Sequence, residues 1–137
     1  MVVLLAVSFA FYSLNMTGFR VKNFILVESC VKTEPIDIPF WILFALCLGL
    51  FVFAPNIGKY AVLGYMTFGC ITMYFNHVRY MVFGCGERKL KGYNECFGNT
   101  HHIIKQSDTR LVPDTFHLAL TAMVFVNLIG ILIYILA

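Results

Sequence analysis

Four apolar blocks, residues 2–16, 38–54, 60–83 and 116–137, take up most of this chain, and the polar connections between them are strongly asymmetric in charge. If every block crosses a bilayer, the first and third connections share a face. That face holds Arg20, Lys22, Lys32, Arg88, Lys89, Lys91, Lys105 and Arg110, whereas the opposite face holds Lys59 alone. Translocating Lys and Arg is costly, so the basic side of a membrane protein stays with the cytosol or matrix. The pattern predicts an all-α integral membrane protein of four transmembrane helices in two hairpins. It places both termini on one side and residues 84–112 as a polar loop on the positive side.

Composition supports a bilayer rather than a soluble core. Sixty per cent of the 137 residues are hydrophobic and 12% are charged. So short a chain cannot bury that much apolar surface by itself. The third and fourth blocks reach the roughly 20 residues that a span needs. The second reaches it with Pro39 in its first turn. The first is short and spans only if its helix runs on through residues 17–27, with Arg20 and Lys22 at the interface. Read as a cleaved signal peptide, it leaves three spans, although it lacks a basic leader and an Ala-x-Ala-like site. The formal sequon at Asn15 falls within the membrane or on the non-luminal face and is expected to stay unmodified.

The connections carry their own signals. Pro55-Asn56-Ile57-Gly58 is turn chemistry, which makes the second and third blocks antiparallel neighbours. Pro113 and Asp114 open the last helix, the acid favoured by the helix dipole. The net charge of +3 is explained by orientation and calls for no nucleic-acid partner. Five cysteines are odd in number and show no paired spacing. Cys30, Cys85 and Cys96 lie on the face assigned to a reducing compartment, so free thiols are expected. Cys85, Cys96, His101 and His102 lack the short paired spacing of a zinc site, and no metal is expected.

One polar stripe runs at membrane depth. Tyr65, Thr72, Asn76 and Arg79, with Gly69 beside them, fall on one face of a straight third helix. Such a face seeks protein or water rather than lipid. It reads either as inter-helix hydrogen bonding with a snorkelling arginine, or as a site for a quinone or lipid head group formed by Arg79, Asn76 and Tyr65. His77 projects from a different face, beside Cys70 and Met73. In the last helix, Asn127, Gly130 and Tyr134 form a packing face. Asp114, His117 and Thr121 sit near the helix entry, where solvation is expected.

The segment Asn76-His77-Val78-Arg79-Tyr80-Met81-Val82-Phe83, followed by Gly86, resembles the Asn-Gly-Ile-Arg-His-Leu-Met-Trp segment of the large cytochrome b anchor subunit of succinate dehydrogenase. The resemblance covers about eleven residues. It implies a mitochondrial inner-membrane anchor near a ubiquinone site. Met73 stands where that family has its haem-ligand histidine, so the anchor it implies lacks its own haem, with His77 the substitute ligand. The expected function is a small non-catalytic subunit of a larger membrane complex, in the respiratory chain. The alternatives are an anchor contributing to a quinone site and a small transporter or channel. Expected partners are other membrane subunits and lipids, cardiolipin among them. The endoplasmic reticulum is the alternative location.

Overall fold

The computed structural model describes residues 1–30 and 35–137; Lys32 and Glu34 of the first connection lie outside the described residues. Helix α1 (Val2–Thr17) ends at Gly18, whose φ of +73° is a conformation that side chains disfavour. The chain then turns back on itself instead of extending the helix to residue 27. Strands β1 (Phe19–Val21) and β2 (Phe24–Val27) pair antiparallel about a Lys22-Asn23 turn, with Lys22 at φ +54°. Arg20 and Glu28 close the hairpin with a 2.9 Å ion pair. The all-α expectation is therefore corrected by one small hairpin, formed where a run rich in Phe, Val and Ile suits strands better than a continued helix.

Helix α2 (Asp37–Phe53) and helix α3 (Pro55–Met73) are joined through Ala54 alone. Gly58 makes this possible. A Cβ at that position would overlap the Phe51 backbone, so no side chain fits between the two helices. Gly58→Ala should cost about 3 kcal/mol, the upper end of overpacking, read as a fall in the thermal midpoint in detergent. A midpoint unchanged within a degree would show that the crossing is loose.

Helix α3 runs without a break into a π-helical turn (Tyr74–Val78) and helix α4 (Arg79–Phe83). The segment expected to be a polar loop contains an amphipathic helix, α5 (Glu87–Phe97), which buries Tyr93. Helix α6 (Thr115–Leu136) starts at Asp114, whose side chain caps the His117 amide.

α1 packs on α2 and α6, α2 on α3, and α3 on α6, so the four long helices close a ring. The two basic connections meet at one end. There the His101 amide bonds the Ile25 carbonyl at 2.7 Å, and Cys30 is disulfide-bonded to Cys96. That bond corrects the expectation of free thiols; two cysteines 66 residues apart carry no local spacing signal. Cys47, Cys70 and Cys85 are free.

Among the described residues, one helix, α6, is long and apolar enough by itself to cross a membrane. α1 and α2, with 16 and 17 residues, are apolar but shorter than the usual span. Length alone therefore does not carry the expectation of four spans.

Candidate functional site

α1 turns Leu5, Ser8, Tyr12 and Asn15 inward, spaced three, four and three residues apart. α6 turns in Phe116, His117, Leu120, Asn127 and Ile131. Together with α2 and α3, these faces line a partly open cavity of about 310 Å³. Aromatic rings wall one part of it. Phe44 stacks on Tyr65 at 4.9 Å and Phe40 on Phe68 at 5.6 Å. Aliphatic and Met side chains line more of it, and Ser8, Tyr12, Asn15, Asp37, Asn76, His77, His117 and Asn127 add polar groups.

The polar groups form two sets. In the first, Asn15 Nδ2 donates to Asp37 Oδ2 at 2.8 Å, with the Tyr12 hydroxyl 3.5 Å from the same carboxylate. Deeper in the bundle, Asn127 Nδ2 donates to the Ser8 hydroxyl at 2.6 Å and to the Met123 carbonyl at 2.8 Å. The second set surrounds Asp114, which is fully buried. Its Oδ1 accepts from the His117 amide at 2.8 Å and from His117 Nδ1 at 2.7 Å, and its Oδ2 accepts from the Thr100 hydroxyl at 3.0 Å. The Asp114 amide donates to the Tyr93 hydroxyl at 3.1 Å. Burial pushes the Asp114 carboxyl up. The His117 hydrogen bond and charge, the His117 amide and the Thr100 hydroxyl outweigh burial and hold it below its ordinary value of 3.8. Burial next to that carboxylate pushes the Tyr93 phenol above its usual range. The His77 ring lies 4.9 Å from the His117 ring, and Phe97 of α5 closes over His117 at 4.6 Å.

On residues that line this cavity, three buried side-chain atoms have no hydrogen-bond partner among the described residues: Asn15 Oδ1, His77 Nδ1 and Asn127 Oδ1. Each such atom costs about 1–3 kcal/mol.

The sequence stripe is only partly kept. Tyr65, Gly69, Thr72 and Asn76 line the cavity, but Arg79 does not. Arg79 is exposed, its guanidinium 6.0 Å from the Tyr80 ring. The π turn is the cause. The Arg79 amide reaches back five residues to the Tyr74 carbonyl. One extra residue in a turn swings the downstream side chains by about 100° relative to a straight helix. Arg79 leaves the stripe and His77 joins it. Of the three residues expected to form a quinone or head-group site, Asn76 and Tyr65 line the cavity and Arg79 lies outside it. Tyr65 uses its hydroxyl on the Phe40 carbonyl at 3.1 Å.

Other expectations also shift. Asp114 and His117 are buried instead of solvated. The Asn127 and Gly130 face packs inside the chain, Asn127 on Ser8 and Gly130 against Met1 and Leu4. Cys85, Cys96, His101 and His102 do not gather: Cys96 is in the disulfide, and His101 meets Thr115 at 2.7 Å. Ser8, Tyr12 and Asn15 were missed at the sequence level. Their helical spacing on an otherwise apolar block was the available signal.

Comparison with known proteins finds no matching family model, curated protein or solved structure.

Proposed function

We propose that this is an integral membrane protein whose four-helix bundle holds a small lipid-soluble ring compound of the quinone class. The cavity and the three unpartnered polar atoms on its lining residues carry this reading. Aromatic walls suit a flat ring, and the polar end fixes its substituents.

The outer faces of the bundle support four spans despite the short α1 and α2. Val3 and Val7 of α1, Leu46 and Phe53 of α2, Ile57 and Ile71 of α3, and Ile129 and Ile133 of α6 are all exposed. A bundle with an apolar outer surface that keeps its polar side chains at an internal cavity is suited to lipid. A short span is accommodated by local thinning of the bilayer. The polar faces of α3 and α6 find their neighbours within the chain. Packing therefore gives the respiratory-chain subunit reading no added support, and it gives ligand binding a direct one.

The test is to fill the cavity. Thr72 lines it and spends its hydroxyl on its own helix, at the Gly69 carbonyl, so Thr72→Phe should fold. Organic extracts of the purified wild type should contain a ring lipid that extracts of Thr72→Phe lack. Identical extracts together with a higher thermal midpoint in Thr72→Phe would mean an empty cavity and would overturn the reading.

A further inference from the structure

We infer that the cavity selects a ligand whose polar end donates hydrogen bonds, namely a free ring hydroxyl, as in a hydroquinone or a sterol alcohol. This rests on the reading of the cavity as a ligand site.

The neighbours fix which atoms are open. Asn15 Nδ2 faces the Asp37 carboxylate, which only accepts, so its amide cannot be flipped. Ser8 donates its own hydrogen to the Leu4 carbonyl at 2.9 Å, so it can only accept from Asn127. The second Asn127 hydrogen goes to the Met123 carbonyl. The atoms left open on Asn15 and Asn127 are therefore both carbonyl oxygens.

Two of the cavity's donors are spent, while the Asn76 amide, on an exposed residue, stays open. The Tyr65 and Thr72 hydroxyls serve the Phe40 and Gly69 carbonyls. No Lys or Arg is among the described residues lining the cavity. A phosphate, a carboxylate or an oxidised quinone brings only acceptors and would leave these oxygens facing oxygens. A buried ammonium would need a countercharge, and both nearby carboxylates are engaged within the chain: Asp114 with His117 and Thr100, Asp37 with Asn15 and Tyr12. A neutral hydroxyl satisfies the acceptors without importing charge. The stacked rings account for the rest of the molecule.

The purified full chain in detergent is assayed by equilibrium dialysis with two matched pairs: a decyl-hydroquinone and its dimethyl ether, and cholesterol and its methyl ether. A site built around a hydroxyl rejects the analogue that lacks it. At least one parent should bind about tenfold or more tighter than its ether, and the pair that does so identifies the ring. Asn127→Leu and Asn15→Leu should each bring that ratio toward one; with two variants, a folding defect in one leaves the other to decide. The corresponding decyl-benzoquinone should bind no better than the ether. Equal binding of parent and ether would overturn the donor inference and leave the cavity reading intact. No binding of any probe, with extracts of wild type and Thr72→Phe alike, would sink both.

Discussion

Asp114→Ala should be among the most damaging single substitutions in this protein, costing about 3–5 kcal/mol. Three donors converge on that carboxylate: the His117 amide, His117 Nδ1 and the Thr100 hydroxyl. Truncation leaves the His117 amide and His117 Nδ1 buried without that acceptor, while the Thr100 hydroxyl keeps the Phe97 carbonyl at 2.6 Å. It also uncaps α6, the longest helix in the ring. Asp114→Asn keeps one acceptor oxygen for the cap and should cost less, about 1–2 kcal/mol. The pH dependence provides an independent readout. The folded carboxyl lies below its ordinary value of 3.8. Its contribution is therefore fully present above that value and is lost as pH falls through the lower, folded one. Thermal midpoints of wild type and Asp114→Ala should run parallel from neutrality down to about pH 4 and converge below it. A constant gap at lower pH would mean that the ionised carboxylate is not what stabilises the helix entry.

The parts of this fold that are local in the chain were legible in its sequence. Apolar run lengths placed α1, α2 and α6 within a residue or two of their ends. Pro113 and Asp114 marked the start of α6 because capping is decided by one or two neighbouring residues. The site was less legible, since it depends on rotation and long-range meeting. A straight helix put Arg79 beside Asn76, but the π turn at Tyr74–Val78 substituted His77. No single residue in Tyr-Phe-Asn-His-Val announces a π turn. Asp114 looked like an interfacial acid because its burial comes from Tyr93 and Thr100, which lie 21 and 14 residues before it in a segment that reads as loop. The hairpin after α1 was hidden by a different conflict. Apolar residues continued past Thr17, and hydropathy cannot tell a strand from another helical turn.

Breaking the Cys30–Cys96 disulfide should produce the other large effect, and it also decides orientation. The bond closes a loop of 66 residues, for which chain entropy gives about 4 kcal/mol. It anchors α5, and Phe97, next to Cys96, covers the His117 ring. Cys30→Ala, Cys96→Ala and the double variant should therefore lose the same amount, since each removes one and the same bond. All three should loosen ligand retention at the polar end. The bond also sets two general rules against each other. The basic connections point to a cytosolic or matrix face, whereas disulfides persist in oxidising compartments. The charge rule is a bias in how chains insert; the disulfide is a chemical requirement on the finished protein. We therefore expect the connection side to face the lumen, periplasm or cell exterior, against the charge pattern. In sealed vesicles of known sidedness, a membrane-impermeant maleimide should label Cys30 and Cys96 from the non-cytosolic face, and only after an impermeant reductant. Labelling from the cytosolic face without reduction would restore the orientation that the charges suggest and remove the bond from the mature protein.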